Sequence, residues 1–313
     1  MRCVVTGCAG FIGSHLTERL LQAGHSVVGI DVFSDYYGIE LKKRNMSSFT
    51  HNKDFTLIDG DIVKLDLEGS MHDAEFIFHE AAQPGVRQSW GSDFERYVHD
   101  NIMATQKILE FVKDKNIKKL VFASSSSVYG DSELPMKEQN AVRPVSPYGV
   151  SKLAAEHLCY LYWKNYNVPV VSLRYFTVYG PRQRPDMAFY KFIKAMLNGK
   201  EVVVYGDGNQ TRDFTYVSDI VDANMRAMQT DALGEVFNLG GGEQVSVNEV
   251  LKVLEKVTGK PAKIRYVEKQ KGDVRDTKSD ISKATKILGY SPQVKLSKGL
   301  EEEVKCIKEE FDL

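Results

Sequence analysis

The 313-residue sequence predicts an α/β fold: a doubly wound parallel sheet followed by a smaller C-terminal α/β cap. Three observations carry this. Short β-branched and apolar runs alternate with stretches long enough to hold a helix. A glycine-rich turn, Gly7–Gly13, separates the first run from the first helical stretch. Beyond roughly residue 175 the alternation gives way to isolated helical stretches among loops rich in Gly, Asn, Asp and Arg.

In order, strands are expected at Cys3–Thr6, Ser26–Ile30, Phe55–Ile58, Phe76–His79, Leu120–Ala123 and Val170–Leu173. Ile12, Leu16 and Leu20 recur at helical spacing within Ile12–Ala23, and Gly24 suits that helix's C-terminus. Phe94–Asp114 and Pro147–Asn165 predict two longer helices. Residues 1–175 are thus expected to form a Rossmann-like unit and 176–313 a cap over the sheet's carboxyl edge, where open α/β sheets bind ligands. Within the cap, Phe189–Leu197, Asp219–Met228 and Val247–Val257 predict helices, and the segment 233–240 holds a short apolar strand that could return to the main sheet. The charged tail Glu301–Glu309 predicts a solvated helix face.

The composition, 42% hydrophobic and 27% charged, matches ordinary soluble proteins, and a net charge of −1 gives no reason to expect nucleic acid or an anionic membrane as partner. No apolar run approaches the roughly 20 residues needed to cross a bilayer, and Met1–Val5 leads into a strand without a signal-peptide pattern. A cytoplasmic protein is expected. Cys3, Cys8, Cys159 and Cys306 form no C-x-x-C pair and read as buried or incidental thiols, although Cys8 lies in a turn opening a helix, where a thiolate would be favoured. The seven histidines form no H-E-x-x-H or comparable cluster, so no metal site is expected.

The turn Thr6–Gly13 reads G-x-x-G-x-x-G and sits where backbone N–H groups at a helix N-terminus hold a pyrophosphate. Gly7, Gly10, Phe11, Ile12 and Gly13 are its candidate cradle. Asp31 follows 18 residues after Gly13, at the end of the second strand, where a carboxylate accepts hydrogen bonds from ribose hydroxyls and repels a 2′-phosphate. NAD is therefore expected over NADP, with Lys42, Lys43 and Arg44 the residues that could offset the acid. Asp61-Ile62, after the third strand, is a candidate adenine pocket or simply a turn.

Tyr148 and Lys152 are four apart at the start of a predicted helix and so share one face. A cation there lowers a phenol's pKa from about 10 and makes Tyr148 a candidate base near neutral pH. Ser125, at the end of the fifth strand, could hold a substrate hydroxyl. The plainer alternative is a surface Tyr and Lys on a helix.

With these residues in place the chain resembles the extended short-chain dehydrogenase/reductase family, and within it the nucleotide-sugar 4-epimerases. The resemblance runs through Thr6–His15, His79–Ser89 (HEAAQPGVRQS), Ser124–Gly130, Ser146–Lys152, Arg174–Pro185 (RYFTVYGPRQRP) and Gly206–Asp219 (GDGNQTRDFTYVSD). It implies a retained NAD, with Ala81, Ala82, Asn101, Ser124 and Tyr175 joining Tyr148 and Lys152 as further cofactor contacts. It also implies a redox-neutral cycle, in which Tyr148 removes the C4-hydroxyl proton, a 4-keto sugar turns over, and hydride returns to its other face. Ser125 would contact O4, helped by Ser127, and Gly85 and Arg87 would be further substrate contacts.

Dehydratases of this family carry an Asp-Glu pair after the catalytic Ser/Thr and decarboxylases a Glu, whereas Ser126 and Ser127 are neutral here, which favours epimerisation. Thr177 stands where many members have Asn, and with Asp35-Tyr36-Tyr37 and Arg184–Met187 this looks more like the UDP-glucuronate 4-epimerases. Thr177 and Arg184 supply the hydroxyl and guanidinium a C6 carboxylate needs, although Arg182 and Arg184 could instead serve the diphosphate or the fold. UDP-glucose and UDP-N-acetylglucosamine are the next sugars.

Arg212 is the diphosphate candidate by family position, or else the partner of a neighbouring acid. Gln270 departs from an arginine common before Gly272-Asp273, and Arg275 is a candidate substitute. A homodimer through the two long helices is implied. The alternatives are a dehydratase or decarboxylase on the same fold, or a non-catalytic NAD-sensing scaffold.

Overall fold

The computed structural model describes residues 1–311. Six strands precede the cap: β1 Arg2–Thr6, β2 Ser26–Asp31, β3 Phe55–Asp59, β4 Phe76–His79, β5 Lys119–Ser125 and β6 Val170–Tyr175. Six more follow: β7 Thr177–Tyr179, β8 Glu201–Tyr205, β9 Thr211–Tyr216, β10 Glu235–Leu239, β11 Gln244–Ser246 and β12 Lys263–Val267. The main sheet is seven-stranded and parallel, in the order β10-β6-β5-β4-β1-β2-β3, so β10 crosses back from the cap region to pair with β6. Strand order reverses between β1 and β4, which opens a crevice at their carboxyl ends.

Alternate residues of each strand feed opposite faces. Val5, Phe78, Val121 and Leu173 pack against Leu16 and Leu20 of the helix Phe11–Gln22 and Ile220 of the helix Val217–Gln229. Val4, Ile77 and Leu120 pack against Ala104 and Ile108 on one helix and Ala155 and Cys159 on the helix Pro147–Tyr166. Each such buried aliphatic or aromatic side chain contributes roughly 1.5–3 kcal/mol. The last of these helices starts firmly: Pro147 occupies its first turn and the Ser146 side chain accepts from the Gly149 N–H at 3.1 Å.

The expected helix Phe94–Asp114 is interrupted. It runs as α-helix over Phe94–Tyr97, widens to π-helix over Val98–Met103 and resumes over Ala104–Val112. The wider turn brings the Asn101 amide onto the chain at Gln83, accepting from its N–H at 2.7 Å and donating to its C=O at 3.1 Å.

The cap is more ordered than helices among loops. β11, β9 and β7 form one small sheet and β12 and β8 another, around a core of Phe189, Ile193, Val204, Phe214, Leu251 and Leu254. The charged tail lies in a helix, Leu296–Glu310, whose Leu300, Val304 and Ile307 close that core. Its Glu303 is not solvated: only 1% of it is exposed. Cys8 also departs from expectation, since burial against Gly29 pushes its thiol up rather than favouring a thiolate. Among the described residues no helix is long and apolar enough to cross a membrane and no group of three metal-ligating side chains forms.

Candidate active site

Two cavities open along the carboxyl edge of the sheet. The first is lined by Gly7, Gly10, Phe11, Ile12, Gly13, Asp31, Asp61, Ile62, Ala81, Ala82, Ser124, Tyr148, Lys152 and Tyr175. It holds every cofactor residue expected from the sequence except Asn101, which is buried and reaches the cavity only through Gln83.

Its floor needs glycine. Gly7 takes φ +71°, and a Cβ there would lie 2.9 Å from the Ala81 backbone, so the loops after β1 and β4 touch. A Cβ on Gly13 would fall 2.1 Å from the Gly7 carbonyl oxygen. Thr6 and His79 lock the two strand ends, with Thr6 Oγ1 2.8 Å from His79 Nδ1 and accepting from the Ala81 N–H at 3.1 Å. Burial holds that imidazole down to about 3, so it is neutral. The helix Phe11–Gln22 has no side-chain cap and no acid in its first turn, while Gly10–Gly13 line the cavity. Uncapped N–H groups at a positive helix end fit a pyrophosphate.

Asp31 accepts from the backbone N–H groups of Ala9 and Phe33 at 3.2 and 2.9 Å. The buried Lys42 ammonium lies 3.3 Å from the same carboxylate, so the offsetting cation is in contact. Asp61 accepts from the Val63 N–H at 2.9 Å and has Lys64 and His99 within 3.4 and 3.5 Å.

The second cavity, about 750 Å³, is lined by Gly85, Arg87, Ser125, Ser127, Thr177, Arg184, Arg212 and Arg275. Tyr148 borders both cavities, with Ser124, Tyr175 and Arg184. Burial raises the Tyr148 pKa, while a hydrogen bond with Ser125 and the Arg184 charge pull it back. Lys152 is buried above the Phe122 ring at 4.8 Å, and desolvation lowers it to about 8 against the opposing charge of Glu80. Arg184, a residue 36 positions away in sequence, thus contributes a cation to the phenol's surroundings.

Ser125 Oγ accepts from the Ser127 N–H at 3.1 Å, and Ser124 Oγ donates to Glu156 at 2.6 Å. Glu156 is in turn bound to Arg174, so the strand end carrying the serines is held from beneath. Among the described residues Arg212 meets no acid directly. It donates to the backbone carbonyls of Thr211, Val274 and Arg275, each at 2.8 Å, and burial keeps its pKa below the ordinary value. Arg87 pairs with Asp273 at 2.8 Å and lies 4.1 Å over the Tyr205 ring. Arg275 lines the cavity with a largely exposed side chain, 3.8 Å from Asp276.

The profile of the NAD dependent epimerase/dehydratase family matches residues 3–240. The chain belongs to that family. It is similar to the UDP-glucuronate 4-epimerase of Thermodesulfobacterium geofontis, 39% identical over 316 residues that cover 99% of this chain and 97% of the relative. Among solved structures it is similar to the UDP-glucuronic acid 4-epimerase from Bacillus cereus in complex with UDP-glucuronic acid and NAD, with TM-score 0.97, 48% identity and 99% of each chain covered. The UDP-glucose 4-epimerase of Thermotoga maritima, with UDP-glucose, gives TM-score 0.90 at 34% identity, covering 99% of this chain and all of that one.

Several residues of the two cavities were not singled out by sequence as site residues. Glu80 accepts from the Tyr175 hydroxyl at 2.7 Å, and burial raises it to about 7. Tyr205, Lys191 and Lys269 line the second cavity beside Arg212. Asp186 binds Arg184 with two 3.0 Å contacts. Glu80 lies within the HEAAQPGVRQS motif and Asp186 within R-P-D-M, so both were in view without a role.

Proposed function

We propose that this chain is an NAD-dependent UDP-hexose 4-epimerase that inverts C4 through a transient 4-keto sugar. UDP-glucuronate is the favoured substrate, and UDP-glucose/galactose and the UDP-N-acetylhexosamines follow. The observation that carries the reading is that Tyr148 borders both cavities with Ser125 hydrogen-bonded beside it. Residues 1–175 then serve mainly NAD and 176–313 mainly the UDP-sugar.

In this scheme Tyr148 takes the proton from the C4 hydroxyl and returns it, and Ser125 holds that oxygen. Phenolate formation in a buried site is helped by the Ser125 hydrogen bond and the Arg184 charge. NAD, when bound, supplies the acceptor for the C4 hydride and its donor on return, and C4 inverts when the ketone turns its other face in between. Gly7–Gly13 hold the pyrophosphate and Asp31 the adenosine ribose. Lys152, buried at the junction end of the first cavity, orients the cofactor's reactive end. Ser126 and Ser127 offer no carboxyl group for C5 chemistry, which separates epimerisation from dehydration or decarboxylation.

Thr177 and Arg184 face the sugar's C6, and Arg212 with Arg87 and Arg275 the diphosphate. A homodimer in the cytoplasm belongs to the same reading. Its support is the helix Pro147–Tyr166, which leaves Val150, Tyr160, Leu161 and Tyr166 exposed, and a solution mass tests it. For the reaction, the purified protein is incubated with each sugar nucleotide without added NAD and the products are separated by chromatography. No C4 epimer from any of them sinks the assignment.

A further inference from the structure

Arg184 is the one guanidinium among the described residues that lines both cavities. It is already engaged. Its Nε donates to Asp186 Oδ1 and its Nη2 to Oδ2, each at 3.0 Å, and the Tyr36 hydroxyl donates to the same Oδ2 at 3.2 Å. Both partners are largely enclosed, with side-chain exposures of 19% and 26%. A guanidinium has five N–H donors, so this fork leaves three, and Nη1 has no hydrogen bond among the described residues.

We infer that Asp186 sets which UDP-hexoses the site accepts, by acting as the standing counter-ion of Arg184. This rests on the proposed reading that the sugar's C6 faces Arg184. With a neutral C6 group, Arg184 keeps Asp186 and no buried cation is stranded. With a C6 carboxylate, the free Nη1 edge takes the substrate while the fork to Asp186 stays closed. The residue therefore widens the sugar range at the expense of affinity for the acid, since a substrate carboxylate must approach a second one. The paired state is internally consistent: Asp186 lies below the usual carboxylate range through Arg184, against the opposing effect of burial.

The test is calorimetric binding of UDP-glucuronate, UDP-glucose and UDP to the holoenzyme, with kcat and KM wherever turnover is seen. Asp186→Asn removes the standing charge. UDP-glucuronate is expected to bind more tightly and UDP-glucose more weakly, moving their ratio toward the acid by roughly ten- to hundredfold, the scale of one charge-assisted hydrogen bond. Binding of UDP alone is expected within about threefold of the parent, a margin of well under one hydrogen bond. Asp186→Glu is expected to restore much of the ratio. Tyr36→Phe, which leaves Asp186 leaning wholly on Arg184, is expected to move it the other way and keeps the test open if Asp186→Asn does not fold.

An equal loss for both sugars and UDP, or a shift toward UDP-glucose in Asp186→Asn, overturns the inference. Arg184→Ala separates the two levels. If it weakens both sugars equally, the C6 reading itself is wrong. If it weakens only UDP-glucuronate while Asp186→Asn leaves the ratio unchanged, Asp186 alone loses its role.

Discussion

Replacing Glu303 by Gln is expected to change the pH dependence of stability. The carboxyl is 1% exposed, its Oε2 accepts from the Gly180 N–H at 3.0 Å, and its Oε1 has no partner among the described residues. Burial raises its pKa well above the ordinary carboxylate value. The folded chain therefore holds this proton more tightly than the unfolded chain, whose Glu titrates near about 4.3. That contribution is fully present below about pH 4.3 and is lost as pH rises toward the raised folded value, with a slope of up to about 1.4 kcal/mol per pH unit.

Gln has the same shape and no charge, so Glu303→Gln is expected to gain stability relative to the parent as pH rises above about 4.3, by up to about 1.4 kcal/mol per pH unit until the raised folded value is passed. Urea unfolding at pH 5, 6.5 and 8 reads this, with Glu309→Gln, exposed on the same helix, as control. Parallel pH profiles for parent and Glu303→Gln would refute the reasoning.

Tyr148→Phe is expected to abolish nearly all turnover while bound NAD persists through purification, and full activity would remove Tyr148 as the base. Gly13→Ala places a methyl 2.1 Å from the Gly7 carbonyl, so NAD retention is expected to fall by roughly tenfold or more, the effect of about 1–3 kcal/mol of overpacking, read by absorbance of the cofactor released on denaturation. Arg212→Ala is expected to weaken UDP and every UDP-sugar alike by roughly ten- to hundredfold, and a loss confined to one sugar would place that residue at the hexose instead. Lys42→Met strands Asp31 and is expected to sharpen NAD over NADP in a binding titration, because the acid then meets a 2′-phosphate without its cation.

The six expected strands of the first 175 residues recur within a residue or two, because five of them are apolar runs buried on both faces, the pattern a parallel sheet imposes, and only the edge strand β3 is largely exposed. The cap's strands escaped because they are short and partly exposed. β12, Lys263–Val267, has four of its five residues exposed, and its partner β8 alternates buried with half-buried positions. The π-turn in Val98–Met103 escaped because the backbone that its Asn101 side chain binds, at Gln83, lies 18 positions away in sequence.

Tyr148, Lys152 and Ser125 could be found from motif order, yet their electrostatics could not. The sequence spacing points to Lys152 as the cation that tunes the phenol; in the folded chain the Arg184 charge lowers its pKa, after the larger effects of burial and the Ser125 hydrogen bond. That proximity comes from the segment after β7 lining the same cavity as Tyr148, and nothing in the local spacing encodes it.

The distribution of charge along the second cavity bears on how a bound sugar could turn. Arg184 and Arg87 each have a carboxylate in contact, Asp186 and Asp273. Arg212 has three backbone carbonyls instead, which fix the guanidinium in place without neutralising it. A fixed, partly desolvated cation is where an incoming anion gains most. Ser125, Ser127 and Thr177, at the Tyr148 end, offer neutral hydroxyls, whose hydrogen bonds are roughly half as strong as charge-assisted ones. In the proposed reaction the nucleotide must stay while the 4-keto hexose presents first one face and then the other. A cavity that grips by charge at one end and by exchangeable hydroxyls at the other meets both demands. In the proposed reading a permanently bidentate arginine at C6 would hinder that turn, and the Asp186 carboxylate held against Arg184 would keep the grip weak enough to release.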